Sequence, residues 1–281
     1  MIGQKELLDK FDIEYGIKDL PRFTIITGRK GQGKKTLVRE VAKRFNYLII
    51  EIGNKIDDIR EVIELSYKQT EPIIYLLADA DEMSLGAKNS LLKVIEEPPQ
   101  KAYFMMTLEQ IENTLETIKS RAYVLRMQDY SLEEKEQMIN ELLPNATQEE
   151  NQILSKLDNY YQIQKVVGYG PKEFNDYAAK VFINIYKVQS ANSFKLAEKL
   201  DLKGDGNGYD LDLFWRMFMN IAFGYLFDSY GSETYDVADK IEKCLSITSS
   251  YTNALSIKGI NRQMLVDNWI LAVRKVWLQN D

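Results

Sequence analysis

The segment Phe23-Thr-Ile-Ile-Thr-Gly-Arg-Lys-Gly-Gln-Gly-Lys-Lys-Thr36 decides the fold predicted for this chain. Its first five residues are apolar or β-branched, which is typical of a buried parallel strand. Beyond the glycine-rich stretch, residues 36–45 place Leu37, Val41 and Ala42 on one face at helical spacing. A strand, a glycine-rich loop and a helix, in that order, predict the first unit of a layered α/β domain.

The loop between this strand and helix matches the motif G-x-x-x-x-G-K-[S/T] at Gly28, Gly33 and Lys34. In that motif, backbone N–H groups and the positive end of the helix bind phosphate. A glycine-rich turn with a chance lysine is the alternative, but the flanking strand and helix favour a phosphate-binding loop. The residues predicted to contact phosphate are Gly28, Gly31, Gly33, Lys34, Lys35 and Thr36.

The last position of the motif departs from the expected sequence. Lys35 stands in place of the Ser or Thr whose hydroxyl normally holds the magnesium of bound ATP. An ammonium group at this position can neutralise part of the phosphate charge without a metal. We therefore expect no required cofactor and no metal site, with weak binding of ATP, ADP or phosphate in the absence of magnesium.

The acidic half of an ATP site is also incomplete. The apolar strand Ile73–Leu77 is followed by Ala78-Asp79-Ala80-Asp81-Glu82, whereas ATPases place a magnesium-binding carboxylate directly after this strand and a water-activating one next. Ala78 takes the first place, so Asp79 is interpreted as a vestigial catalytic carboxylate and ATP hydrolysis by this chain is expected to be absent. A register one residue later is the alternative, with Asp79 on the metal and Asp81 or Glu82 as the base.

Composition excludes several other classes of site. The 281 residues include one cysteine and no histidine, which excludes an internal disulfide, Ser-His-Asp catalysis and cysteine-rich zinc sites. The net charge of −6 argues against a broadly basic surface that coats DNA. No apolar run has the length of a membrane span and no secretory signal opens the chain, so a cytoplasmic protein without membrane contact is expected.

The chain changes character after about residue 130. Strands alternate with helices before that point, and only helical patterns follow it. Ser131-Leu-Glu-Glu134 has the form of a capping box at a helix start. Two apolar stripes near the end of the chain, one around Trp215 and one around Trp269, predict the core of a helix bundle.

Three further segments resemble the clamp-loader subunits of bacterial DNA polymerase III, which belong to the AAA+ superfamily. Asn89-Ser-Leu-Leu-Lys-Val-Ile-Glu-Glu-Pro-Pro99 resembles their helix signature, Ser120-Arg121-Ala122 their Ser-Arg-Cys motif, and Ile2-Gly3-Gln4 their opening segment. Order and spacing agree over residues 1 to about 130, and the likeness is greatest to the delta-prime type, with the gamma and tau types next. Two family features are missing: the four-cysteine zinc module and an arginine at the sensor-2 position of the lid. The family's sensor-1 residue corresponds to Thr107 or Leu108.

The resemblance implies a three-part architecture. It consists of a RecA-like AAA+ P-loop domain with a parallel sheet over residues 1–130, a small helical lid over 131–171 and a helical-bundle collar over 172–281. The collar is expected to form subunit contacts through its aromatic stripes. The implied partners are gamma/tau-like ATPase and delta-like subunits, primer–template DNA and, indirectly, the sliding clamp.

The resemblance also implies roles for three cations. Arg121 would project from the end of a strand into the ATP site of a neighbouring subunit and act there as an arginine finger. The alternative is a surface arginine paired with an acidic neighbour. Lys88 and Lys93 would face the DNA that passes through the loader and contact its phosphates, unless they are simply solvated.

Two other functions remain open. A delta-type subunit, which opens the clamp through exposed hydrophobic residues of its first domain, is one alternative. An autonomous P-loop ATPase is the other, and it would require turnover by the isolated chain.

Overall fold

The structure is a computed structural model that describes residues 2–15, 20–185, 187, 194–232, 234–255, 257 and 259–278. The chain divides into two compact units, Met1–Glu141 with Asp158–Ile163, and Leu142–Leu157 with Gln164–Asp281. The three-domain division at residues 130 and 171 stays a prediction, and residues 279–281 of its last domain lie outside the described residues. Within the described part of the chain, no helix is both long enough and apolar enough to cross a bilayer.

The first unit is built on a sheet of five parallel strands in the order β2-β3-β4-β1-β5. This sheet, followed by helices, confirms the predicted combination of an α/β domain with an all-α remainder. The strands are β1 (Phe23–Thr27), β2 (Leu48–Ile52), β3 (Ile73–Leu77), β4 (Ala102–Leu108) and β5 (Tyr123–Arg126).

Helices cover both faces of the sheet and create two apolar layers. Every residue of β1, β3 and β4 is buried, which explains their continuous apolar sequences. One layer includes Ile59 and Ile63 from the helix that follows β2, and the other includes Leu37 and Val41 from the helix that follows the glycine-rich loop. The helices around the sheet are α1 (Lys5–Tyr15), α2 (Lys34–Phe45), α3 (Ile56–Ser66), α4 (Leu85–Ser90), α5 (Leu92–Glu96) and α6 (Glu116–Lys119).

The first residues of the chain support the glycine-rich loop through Tyr130. The Tyr130 ring packs so closely on Gly3 that a Cβ at Gly3 would lie 2.6 Å from it. The Tyr130 hydroxyl donates a hydrogen bond of 2.6 Å to the backbone oxygen of Gln32 in the loop. Gln4, which is buried, exchanges hydrogen bonds of 2.7 and 3.0 Å with the backbone of Gln128. The Ile2-Gly3-Gln4 segment and the residues that follow β5 therefore support the glycine-rich loop.

The helical part of the chain begins with the predicted capping box. The Ser131 Oγ accepts from the Glu134 N–H at 3.2 Å, and the Glu134 carboxylate accepts from the Ser131 N–H at 2.8 Å. The helices from this point are α7 (Leu132–Leu142), α8 (Gln148–Leu154), α9 (Tyr160–Tyr169), α10 (Pro171–Asn184), α11 (Leu211–Gly231), α12 (Tyr235–Ala254) and α13 (Arg262–Leu278).

The second unit has an aromatic core formed by α11 and α13. Phe218 and Trp269 are buried, with ring centroids 5.1 Å apart in an edge-to-face arrangement, and the Trp269 indole donates to Thr248 at 3.0 Å. Phe218 and Trp269, one from each predicted stripe, are therefore confirmed as part of a helix-bundle core. The contact between subunits that the sequence predicted for the collar stays a prediction, and buried Phe218 and Trp269 are not available for it. On the same helix, Phe223 and Phe227 are exposed instead.

Truncation of Phe218 should destabilise the second unit, because Phe218 is fully buried. We expect Phe218→Ala to lower the free energy of unfolding by about 3–5 kcal/mol, through lost burial and a cavity. Phe227→Ala is the matched control, since Phe227 lies on the same helix and is 76% exposed, and it should change stability by less than about 0.5 kcal/mol. Urea unfolding followed by tryptophan fluorescence measures this unit alone, because the three tryptophans are Trp215, Trp269 and Trp277.

Tyr130 should give the first unit a distinct alkaline pH dependence, since burial raises the pKa of its hydroxyl to about 12. Between pH 10 and 12 the unfolded chain loses this proton and the folded chain retains it, so stability falls as pH rises. We expect Tyr130→Phe to lower the free energy of unfolding by ~1 kcal/mol at pH 8, through the lost hydrogen bond to Gln32. The deficit should shrink above pH 10 in circular-dichroism unfolding curves, and a deficit independent of pH would contradict the assignment.

Candidate functional site

The glycine-rich loop follows β1 and leads directly into α2. Gly31 and Gly33 have φ angles of +81° and +88°, a region that side chains rarely adopt. A Cβ at Gly31 would lie 2.7 Å from both Asn159 Oδ1 and Tyr161 Cβ. The Asn159 amide also donates a hydrogen bond of 3.1 Å to the Lys30 carbonyl. Residues 158–163 thus pack directly on the loop, and glycine at position 31 makes this contact possible.

Lys34, the lysine of the motif, is turned back into the loop. It is 6% exposed, and its ammonium donates to the carbonyl oxygens of Gly28 at 2.6 Å and Arg29 at 3.0 Å. Burial lowers the pKa of Lys34, while the nearby carboxylates of Glu109 and Asp79 act in the opposite direction. An ammonium has three donors, and these two carbonyls use two of them. These two backbone carbonyls thus hold the Lys34 ammonium inside the loop.

Lys35 forms the central ion pair of the site. Its ammonium lies 2.8 Å from the Asp79 carboxylate and 3.3 Å from that of Glu51. The guanidinium of Arg39 lies 3.6 Å from the other oxygen of Glu51. The hydrogen bond to Asp79 raises the pKa of Lys35. Four alternating charges therefore connect the first turns of α2 to the ends of β2 and β3.

The residues around Lys35 do not fit a magnesium ion. Magnesium requires oxygen ligands at about 2.0–2.1 Å, and here the hydroxyl is replaced by an ammonium that already bonds to the Asp79 carboxylate. Ala78 directly follows β3 and supplies no ligand. No group of three or more acidic, cysteine or histidine side chains that could hold a metal occurs among the described residues.

Asp79 and Asp81 have separate surroundings. Asp79 has a φ of +50°, and its N–H donates to the hydroxyl of Thr107 at 2.9 Å, which leaves its carboxylate with Lys35. The Asp81 carboxylate accepts from the Glu109 N–H at 2.6 Å and from the Asn113 amide at 2.9 Å. Asp79 is therefore the carboxylate that contacts α2, and Asp81 stabilises the segment after β4. Thr107, one of the two sensor-1 candidates, reaches this site through Asp79.

Three residues of the site escaped the sequence analysis. Gln32 is buried, accepts from the Arg29 N–H at 2.6 Å and donates to Asp129 at 3.1 Å. It occupies a variable position of the motif, so spacing does not identify it. Asn159 and Tyr130 lie 129 and 98 residues from their partners in the loop, and no local pattern predicts those contacts.

Thr36 is exposed on the first turn of α2, beside Lys35.

Arg121 lies far from this loop. It occupies the turn between α6 and β5, so it is at the amino end of β5, whereas the loop is at the carboxyl end of the parallel strand β1. At ~3.3 Å per residue, the length of these strands separates the two by roughly 15 Å. The Arg121 guanidinium donates to the Thr117 carbonyl at 3.1 Å and lies 3.3 Å from the Glu96 carboxylate. The acidic neighbour of the alternative interpretation is therefore present.

The two lysines predicted to face DNA have different environments. Lys88 is 7% exposed, and its ammonium donates to the backbone carbonyl of Asn113. Because the Lys88 ammonium is buried and already donates to this carbonyl, its placement does not support a DNA-facing role. Lys93 is exposed on α5, so its charge is accessible to solvent.

Comparisons with known proteins show what this chain is similar to. A family model described as DNA polymerase III, delta subunit, matches residues 49–131. DNA polymerase III subunit gamma of Buchnera aphidicola (subsp. Schizaphis graminum) is 26% identical, over 48% of this chain and 46% of that protein. DNA polymerase III subunit delta' of Bacillus subtilis is 27% identical, over 37% of this chain and 41% of that protein. The chain spans about half the length of the curated relatives it matches.

Solved structures show the same fold. A DNA polymerase III gamma subunit-related protein of Thermotoga maritima superposes with a TM-score of 0.53 at 17% identity, covering 97% of this chain and 99% of that one. The RuvB protein of the same organism gives a TM-score of 0.51 at 16% identity, over 75% and 74% of the two chains. The fold is thus that of AAA+ proteins. The family model and the curated relatives show that parts of this chain are similar to gamma and delta' subunits of DNA polymerase III.

Proposed function

We propose that this chain is a delta-prime-like clamp-loader subunit, which does not hydrolyse ATP itself and supplies Arg121 to the ATP site of a neighbouring subunit. The observation that carries the proposal is the separation of two cations across one parallel sheet. Lys35 is paired with Asp79 at the carboxyl edge, and Arg121 is half exposed at the amino edge. Arg121 therefore cannot reach the phosphate loop of its own chain.

Loss of hydrolysis follows from the charges around Lys35. A P-loop ATPase uses a metal to neutralise the phosphates and a carboxylate to orient water. Here the ammonium of Lys35 stands in place of the metal and forms an ion pair with the Asp79 carboxylate at 2.8 Å. The Asp79 carboxylate is thus engaged by a cation of its own chain instead of a water molecule that it would orient. What remains is a cradle of backbone N–H groups and two ammonium groups, which suits weak, metal-free binding of phosphate, ADP or ATP.

The arginine finger requires an accessible guanidinium at the edge of the subunit. The Arg121 side chain is 44% exposed, and its contacts with Thr117 and Glu96 leave donors of the guanidinium unused. In a loader, this group would donate parallel hydrogen bonds to the γ-phosphate held by a gamma/tau-like partner. The other proposed partners are a delta-like subunit, primer–template DNA near Lys93 and, indirectly, the sliding clamp. The proposal implies a cytoplasmic location.

A delta-type clamp opener is the second candidate. Exposed apolar side chains of the first unit favour it: Leu48 is 65% exposed and Ile50 42% exposed on the edge strand β2, and Leu85 is 64% exposed at the start of α4. Such side chains are candidates for contact with another protein. A pull-down with the clamp alone separates the two functions, because only an opener retains the clamp without the other subunits. The autonomous ATPase has no such support.

Replacement of Arg121 tests the proposed role in the assembled loader. We expect Arg121→Ala to lower DNA-stimulated ATP hydrolysis at the partner site that receives the guanidinium by about 10³-fold, because an arginine finger contributes that much or more. Arg121→Lys should not restore the rate, since an ammonium lacks the planar fork. Arg60→Ala removes the same charge from an exposed position on α3 and serves as the control. A complex that assembles and hydrolyses normally with Arg121→Ala would refute the role.

Metal-free binding tests the state of the nucleotide site. Titration calorimetry of the isolated chain with ADP should give the same weak affinity in EDTA and in magnesium. Lys35→Thr should weaken that affinity by about tenfold, because it removes an ammonium and leaves the Asp79 carboxylate without its cation, while Arg39 still faces Glu51. Lys43→Thr, on the same helix but in its last turn, is the control. Magnesium-dependent ATP turnover near ~1 s⁻¹ by the isolated chain would contradict the proposal.

A further inference from the structure

The two family signatures of this chain meet in a single ion pair. Glu96, from the Asn89–Pro99 segment, is the last residue of α5, and its carboxylate lies 3.3 Å from the Arg121 guanidinium. We propose that Glu96 is a positioning residue that holds Arg121 in the free subunit and then competes with the neighbour's γ-phosphate for the guanidinium. This inference rests on the proposed function, because it presupposes that Arg121 acts on a neighbouring ATP site.

Backbone and carboxylate contacts together define the orientation of the guanidinium. One terminal nitrogen donates to the Thr117 carbonyl at 3.1 Å and lies 3.5 Å from the Ser120 hydroxyl, which itself donates to Thr117 at 3.2 Å. The other terminal nitrogen faces Glu96. The Thr117 carbonyl is fixed by the end of α6, whereas Glu96 and Ser120 make side-chain contacts that a rotation can release, and of these two only Glu96 is charged.

The ion pair is weak enough to be exchanged. The Arg121 side chain is 44% exposed and that of Glu96 is 53% exposed, and pairs with such exposure contribute little to stability because water screens both charges. A triphosphate in a subunit interface carries more charge and is less hydrated, so it attracts the same guanidinium more strongly. Arg121 can therefore leave Glu96 when a neighbour presents ATP.

The same carboxylate also opposes ATP once the exchange has occurred. A carboxylate and a γ-phosphate that share one guanidinium lie within several ångströms of each other, and two negative charges at that distance repel. Glu96 thus lowers the affinity of the neighbouring site for ATP. We conclude that it sets the ATP concentration at which the interface closes, while the chemical step remains with Arg121.

Isosteric removal of the charge tests this role in the reconstituted complex of this chain with a gamma-type ATPase subunit. We expect Glu96→Gln to lower the KM for ATP of DNA-stimulated hydrolysis by about three- to tenfold, through the loss of one like charge. The kcat should stay within about twofold, because a change in uniform binding alters KM alone. Glu96→Asp retains the charge, so its KM should lie close to that of the unaltered chain.

Glu97→Gln is the matched control. It makes the same change of charge one residue away. Glu97 is exposed at the same helix end, and its backbone carbonyl accepts from the Tyr67 hydroxyl. It should leave KM and kcat unchanged. In an Arg121→Ala background, Glu96→Gln should have no further effect on KM, since its action requires the guanidinium.

The outcomes separate the two levels of the proposal. An unchanged KM with Glu96→Gln, or a kcat that falls as it does with Arg121→Ala, overturns the competition between Glu96 and phosphate but leaves the finger intact. If Arg121→Ala itself has no effect, the proposed function fails, whatever Glu96 does. Thermal unfolding of each variant shows whether the fold is retained, which is expected because Glu96 is half exposed.

Discussion

The parallel arrangement of five strands is the constraint on which the rest of the first unit depends. Parallel strands place all their carboxyl ends at one edge of the sheet, and the chain must return to the opposite edge before each new strand. The glycine-rich loop after β1, Asp79 after β3 and Thr107 near the end of β4 therefore meet at one edge. Arg121 precedes β5 and must lie at the other. Topology alone assigns the two cations Lys35 and Arg121 to different surfaces.

Charge balance at the carboxyl edge depends on Lys35, which stands where the motif has Ser or Thr. A hydroxyl at position 35 would leave Asp79 without a cation and Glu51 with only Arg39, so less of the carboxylate charge would be neutralised. The ammonium of Lys35 lies within 3.3 Å of both carboxylates and performs this neutralisation within the chain. The absence of a carboxylate at Ala78 is consistent with this arrangement, since a further acidic group there would have no metal to bind. These charges form an ion network that connects α2 to β2 and β3.

The amino edge carries the ion pair of Glu96 and Arg121, whose side chains are 53% and 44% exposed. Glu96 and Arg121 belong to segments that are 25 residues apart, and the return of the chain after α5 brings them together at the same edge of the sheet. The family model matches only residues 49–131, and the curated relatives extend well beyond the length matched here.

The sequence by itself determined the strands, the glycine-rich loop, the capping box at Ser131 and the helix-bundle core. These features depend on local periodicity and on backbone requirements that single residues reveal. The resemblance to clamp-loader subunits also came from the sequence, through short motifs in the correct order. Only the tertiary structure decided the partners of those residues: the Lys35–Asp79 and Glu96–Arg121 pairs, the burial of Lys88 and the support of the loop by Tyr130 and Asn159. The physical reason is that hydrogen bonds and ion pairs between distant segments depend on how strands and helices pack, and a linear pattern contains no record of that packing.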